Sequence, residues 1–136
     1  MTSSDAAALR ALVDRYAATV DARTFAELDH VFTADAVLET GRGRRDGLAA
    51  IQTAMDGLHR YDRTEHRVLG AEIAVDGDAA TGTVSGTAHH WFVDDGRPRD
   101  HQMEITYHDR YVRAAGGWRI EHRRLEIHRA ETVDAG

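Results

Sequence analysis

Between Leu58 and His66 the hydrophobic period of the chain changes once, from helical spacing to strict alternation. That change confines the chain to folds that place helices first and a sheet after them. Leu9, Leu12, Val13, Tyr16 and Val20 recur at helical spacing and predict an amphipathic helix running to about Asp21, with Ser3 or Ser4 as its cap. Thr24 and Glu27 form a T-x-x-E capping box, and Phe25, Leu28, Val31 and Phe32 supply the apolar face of a second helix. ADAVLET reads as a short strand. After the GRGRRDG connection, expected to be a mobile loop at a pocket mouth, Asp46 caps a third helix through Leu48, Ile51, Met55 and Leu58. Strands are predicted at His66 to Val75, Ala80 to Val93, Gln102 to Ala114 and Trp118 to His128, separated by DGD, DDGRP and AAGG turns. The expected architecture is α+β, with three N-terminal helices on the concave side of a curved, mostly antiparallel sheet. A pocket is expected between the two layers.

A chain of 136 residues is one domain of ordinary size, with enough apolar content (42%) for a core that needs no staples. It has no cysteine, which excludes disulfides, thiolate metal sites and cysteine nucleophiles. The net charge is −6 and arginines are scattered among acids, so no basic stripe offers itself to nucleic acid. MTSSDAAALRALVDRY lacks a basic segment followed by an apolar one, and no apolar run approaches the ~20 residues that span a bilayer. A cytoplasmic location without membrane attachment is therefore the expectation.

Asp21, His66 and His89 carry the chemistry. Asp21 ends the first predicted helix, His66 opens the first long strand in RTEHRVLG, and His89 lies in GTVSGTAHHWF. A carboxylate on one ring nitrogen of an imidazole fixes its tautomer and raises the basicity of the other nitrogen, which is the usual apparatus of general acid–base catalysis. The same residues would equally serve a buried aspartate that ties a helix end to a strand. His89 and His90 are neighbours on a strand and point to opposite faces, so only one can reach the pocket. Tyr16 lies on the apolar stripe of the first helix, where its phenol could donate to a substrate oxygen or simply pack in the core. The nine histidines form no tight metal-ligand motif, and GRGRRDG fits neither a P-loop nor a dinucleotide fingerprint, so neither a metal nor another cofactor is expected.

The order of elements resembles the nuclear transport factor 2-like superfamily, a cone-shaped α+β barrel, and within it the SnoaL-like group. The resemblance rests on YAATVDARTFAELDHVFTADAVLE, GDAATGTVSGTAHHWF and RYVRAAGGWRIEHRRLE and covers about residues 6–130 of a single domain, 1–136. It is nearest to the branch containing scytalone dehydratase and bile-acid dehydratase. There an aspartate ending the first helix pairs with a histidine in a T-x-H motif, matched here by Asp21 and by His66 in TEH. A second histidine lies on the next long strand, matched by His89 with Thr87 and Trp91 on its face. Val20 and Thr40 stand where that branch uses tyrosines, and Thr40 also stands where ketosteroid isomerase has its catalytic aspartate. Tyr16 resembles in position a tyrosine of ketosteroid isomerase and bile-acid dehydratase, and Tyr107 lies near a substrate-binding position of the branch.

The resemblance implies a cofactor-independent dehydratase, cyclase or isomerase acting on a small, hydrophobic, cyclic carbonyl compound of polyketide or steroid type. His66, Asp21, His89 and Tyr16 would be catalytic, and Tyr107, Trp91 and Thr40 would contact substrate. It further implies a homo-oligomer, a dimer or trimer. The alternative is a non-catalytic binding or assembly module of the same fold. An epoxide hydrolase of this topology would need an Asp–Arg–Asp set, of which Asp109 and Arg110 supply only part.

Overall fold

The computed structural model describes residues 3–136. Helix α1 (Ser3–Ala22) leads through a 3-10 turn at Phe25–His30 into a hairpin of β1 (Phe32–Thr40) and β2 (Gly43–Asp46). Helix α2 (Leu48–Met55) and a second 3-10 turn (Asp56–Arg60) then deliver the chain to four long strands, β3 (Arg63–Asp76), β4 (Ala79–Asp94), β5 (Arg97–Ala114) and β6 (Gly117–Asp134). The six strands form one sheet in the order β2-β1-β6-β5-β4-β3. Every pairing is antiparallel except β1 with β6. β2 and β3 are its two edges, so the sheet is open and, as expected, mostly antiparallel. Among the described residues no helix is long and apolar enough to cross a membrane.

Three local expectations give way to different structure. Phe25–His30 is a 3-10 turn, not an α-helix, and Thr24 makes no side-chain cap bond to it. Arg23 adopts a left-handed φ of 60°, so α1 stops abruptly. Phe25 and Leu28, three residues apart, are the two that turn inward, which suits three residues per turn. The GRGRRDG connection is ordered as β2, paired with β1 from Thr40↔Gly43 to Val37↔Asp46. Asp46 is therefore a strand residue that accepts a hydrogen bond from Arg44 at 2.8 Å, and Gly47 stands at the start of α2. Two α-helices form instead of three. Ser3 and Ser4 are already helical, so the cap of α1 lies outside the described residues.

The stripe of α1 does what its spacing predicts. Leu9, Leu12, Val13, Tyr16 and Val20 are all buried against the sheet, each burial contributing about 1.5–3 kcal/mol. Three bulges bend the strands around them. Leu69 is the extra residue on β3, and Glu121 and His128 are the extra residues on β6. Gly86 lies opposite the first bulge, and a Cβ there would sit 2.3 Å from the Arg67 carbonyl oxygen. A glycine is required at that crossing because the obstacle is backbone and cannot move aside.

The sheet also buries an ion pair. Asp109 and Arg123 are direct partners across β5 and β6, and both side chains are wholly enclosed. The guanidinium donates to both carboxylate oxygens at 2.8 and 2.7 Å, and the Tyr111 hydroxyl donates to the same carboxylate at 2.6 Å. Its flat face lies 4.4 Å from the Tyr16 ring centre and 3.9 Å from that of Tyr107. Burial opposes the charge of Arg123, but Asp109 more than restores it, so Arg123 stays fully charged in the core.

Two stability measurements check these assignments. Gly86→Ala should lower unfolding free energy by about 1–3 kcal/mol in chemical denaturation, as overpacking does. Asp109→Ala should cost about 3–5 kcal/mol by stranding a buried cation, whereas Asp109→Leu combined with Arg123→Met should recover most of that loss.

Candidate active site

Asp21 lies in the last turn of α1, where the abrupt stop at Arg23 leaves its carboxylate beside the start of β3. Three donors from that strand converge on it. The Thr64 hydroxyl donates to Oδ1 at 2.9 Å, the His66 backbone N–H to Oδ2 at 2.8 Å, and the His66 ring to Oδ1 through Nδ1 at 2.7 Å. A carboxylate accepts, so Nδ1 carries a proton, and the tautomer this selects leaves Nε2 with the lone pair. The His66 side chain is 12% exposed and forms part of the wall of a cavity. The cavity has a volume of about 300 Å³ and lies between α1, α2 and the inner face of the sheet.

Strand register decides which histidine of the His89–His90 pair joins it. Residues directly opposed in an antiparallel pair point to the same face. Here His66 opposes Ala88, Thr64 opposes His90, and Glu65 opposes His89. His66 facing inward therefore carries Ala88 and His90 inward and sends His89 outward. This corrects the expected placement of His89 and of Trp91, neither of which lines the cavity. On the outer face His89 stacks on Trp91 with ring centres 5.2 Å apart, and its Nδ1 donates to Asp100 at 2.8 Å. Asp100 is buried, which alone would raise its pKa, but bonds from His89, Gln102 and the His90 N–H hold it below the usual carboxylate value.

The other expected contacts, Tyr16, Tyr107 and Thr40, do line the cavity. Tyr16 and Tyr107 meet edge to face at 5.7 Å. Burial raises the pKa of both phenols, although the Arg123 charge pulls the other way, so both keep their protons and can act only as neutral donors or acceptors. Asp109 points to Arg123 and not to Arg110, which is exposed and 3.9 Å from Glu121. The Asp–Arg–Asp arrangement of an epoxide hydrolase therefore has no counterpart built on Asp109. Among the described residues no group of three His, Cys, Asp or Glu side chains could hold a metal ion.

Three cavity residues were not singled out from the sequence: His90, His101 and Tyr61. His90 donates through Nδ1 to the His101 carbonyl at 2.9 Å, so its Nε2 is also a lone pair. Its ring stands edge to face with that of His66 at 5.8 Å and packs on Tyr61 at 4.9 Å. Burial, with His66 and His101 nearby and only partly opposed by the His101 carbonyl and Asp100, lowers the His90 pKa to about 4. A signal for His90 existed in the alternation itself: Ala80, Val84 and Ala88 are the apolar members of β4, and His90 continues their parity. Tyr61 follows a 3-10 turn, where no periodicity applies.

The sequence profile of the SnoaL-like domain matches residues 1–124. The chain belongs to the SnoaL-like family. Solved structures are similar to this chain over nearly its whole length. A protein of Kribbella flavida, Kfla4162, is 25% identical over 95% of this chain and 94% of its own, with a TM-score of 0.88. A putative scytalone dehydratase from Novosphingobium aromaticivorans is 21% identical over 98% and 89%, with a TM-score of 0.84. A hexachlorocyclohexane dehydrochlorinase, LinA type 3 from Novosphingobium barchaimii, is 17% identical over 96% and 90%, also at 0.84. The last two likenesses show the fold. No curated protein matches the sequence. In this SnoaL-like domain His66, His90 and His101 bring imidazoles to the cavity, and His66 is the one whose ring is bonded to a carboxylate.

His90 provides the pH test of this geometry. Its pKa is depressed from 6.5 to about 4, so the unfolded chain takes up a proton that the folded chain refuses. Stability conferred by the neutral ring should be complete above pH 6.5 and lost as pH falls toward 4, by on the order of 2–3 kcal/mol. NMR titration of the imidazole resonances should show the His90 ring still neutral at pH 5, and His90→Gln should flatten the acid limb of the stability curve.

Proposed function

We propose that the protein is a cofactor-independent lyase that eliminates water from a small cyclic carbonyl compound. The observation that carries this reading is the Asp21–His66 pair, with Nδ1 engaged by the carboxylate and the ring on the wall of a cavity between helices and sheet. His66 Nε2 takes the proton next to the substrate carbonyl, and the electron pair moves into the carbonyl as an enolate. As the pair returns to form the carbon–carbon double bond, the bond to the neighbouring hydroxyl breaks. The His66 imidazolium gives its proton to the departing oxygen, which leaves as water with the base regenerated. Asp21 holds the ring in orientation and stabilises the transient imidazolium. Tyr16 and Tyr107, both protonated and on the cavity wall, are the donors available to the enolate oxygen. His90 is a neutral neighbour that adds no positive charge against the imidazolium.

Further support comes from the wall and from composition. The wall is mainly apolar, with Val20, Leu38, Met55, Ala88, Met103 and Ile105 among its residues, and its volume suits a compound of about two rings. All 17 basic residues are arginine, so no lysine can form an imine with a ketone, and the carbonyl must be activated by hydrogen bonds. Two structural neighbours carry the names of elimination enzymes, a dehydratase and a dehydrochlorinase. Both names describe loss of a proton and a leaving group from adjacent carbons.

The test is a panel of cyclic β-hydroxyketones followed by the absorbance of the conjugated product. His66→Ala should lower turnover by about 100- to 10,000-fold without changing the melting temperature by more than a few degrees. Asp21→Asn should lower kcat and leave KM nearly unchanged. A His66→Ala protein with undiminished turnover would refute the assignment.

A further inference from the structure

The GRGRRDG segment was expected as a mobile loop, yet it is ordered against the cavity. Arg42 in the β1–β2 turn, Arg45 on β2 and Arg60 at the end of the second 3-10 turn all line it. No aspartate or glutamate does so among the described residues, because Asp21 stands behind His66. In a chain with 23 acidic residues and a net charge of −6 this one-sided lining is unusual. Nearby arginines are engaged: Arg44 binds Asp46, and Arg23 binds the Tyr61 carbonyl and the His59 ring. Arg42, Arg45 and Arg60 have no carboxylate partner among the described residues. Arg45 reaches only the Arg44 carbonyl, at 3.3 Å, and Arg60 only the face of Tyr61, at 4.9 Å.

The cavity also does not end at these residues. Arg42, Arg60, Tyr61 and His101 line a second, open cleft together with Phe92 and Thr132. The inner cavity and this outer cleft share a wall, and Arg42 and Arg60 belong to both. Their guanidiniums mark the passage from an apolar chamber to solvent. Guanidinium is the cation best shaped to receive a planar oxyanion through paired hydrogen bonds.

We propose that the substrate is an organic acid whose anionic group is held at the mouth by Arg42 and Arg60 while its apolar ring portion reaches His66. This inference rests on the reading that the chamber is where substrate is taken up, and it names the class of substrate. Charge at the mouth and an apolar chamber wall give the molecule one orientation. The ring enters first, the anion stays outside, and the acidic C–H is carried to Nε2. The rest of the protein surface, being acidic, repels the same ligand, so selection occurs at the passage.

Two fluorescent probes with the same aromatic skeleton separate the contributions. Anilinonaphthalene sulfonate carries an anion, and N-phenylnaphthylamine does not. The wild-type protein should bind the anionic probe about tenfold more tightly at low salt, and this preference should shrink at high salt. Arg42→Gln combined with Arg60→Gln should bring the anionic probe to within about twofold of the neutral one while leaving the neutral probe's affinity unchanged. Arg10→Gln, on the exposed side of α1, should change neither. Equal affinity for the two probes in wild type, a preference that survives the double substitution, or binding of neither probe would overturn the proposal. His66→Ala should retain the anion preference, so loss of the preference and failure of the catalytic reading are separate results.

Discussion

The register of β3 against β4 is the constraint on which the site depends. A strand offers each side chain one of two faces, and a shift of one residue exchanges the sets completely. With His66 opposite Ala88, two adjacent rows of inward residues run across the sheet, Thr64–His90–His101 and His66–Ala88–Met103. The Leu69 bulge ends the regular pairing just beyond these rows, and Gly86 lets the strands cross there without a side chain between them. Asp21 then locks the register to the helix layer. Its carboxylate takes up the Thr64 hydroxyl and the His66 N–H as well as the His66 ring, so one side chain fixes strand position, helix position and imidazole orientation together.

Charge is distributed in layers around these rows. Deepest is the Asp109–Arg123 pair, which is charged, internally compensated and roofed by the Tyr16 and Tyr107 rings. Those two phenols separate the fixed charges from the chamber. The chamber itself presents protonated phenols and a neutral His90, groups that can exchange hydrogen bonds without importing charge. Among the residues lining the cavity, the cations without a carboxylate partner, Arg42, Arg45 and Arg60, lie toward the mouth. The low dielectric of such a chamber strengthens each hydrogen bond made to a developing enolate, because little water competes for it.

Much of this was legible in the sequence where a period repeats often enough to be read. The stripe of α1 and the four long strands follow their patterns, and Asp21 and His66 meet as their positions at element boundaries imply. What was lost lay at short range. Six residues from Phe25 to His30 are compatible with either helix type, and only the left-handed Arg23 decides for the tighter one. Asp46 has the chemistry of a helix cap, but pairing of β2 with β1 claims it first. The resemblance favours His89, whereas the parity of Ala80, Val84 and Ala88 favours His90, and the strand register follows the parity. The partnership of Asp109 with Arg123 spans fourteen residues and two strands, so no local pattern could distinguish it from one with Arg110.

The outward-facing His89 carries a lesson of its own. Its Nδ1 is bonded to the buried Asp100 at 2.8 Å, almost the 2.7 Å of His66 to Asp21, so two paired strands bear carboxylate-backed imidazoles on opposite faces of the sheet, His66 on β3 and His89 on β4. As isolated pairs they are near duplicates. They differ in what stands in front of them: one shares its wall with three phenols and apolar side chains, the other an open groove with Gln102, Glu104 and Arg129. A catalogue of His–Asp pairs would score both alike. The cavity, built with helices on one side of the sheet only, is what makes two equal pairs unequal, and α1, the helix that walls it, also supplies the Asp21 carboxylate.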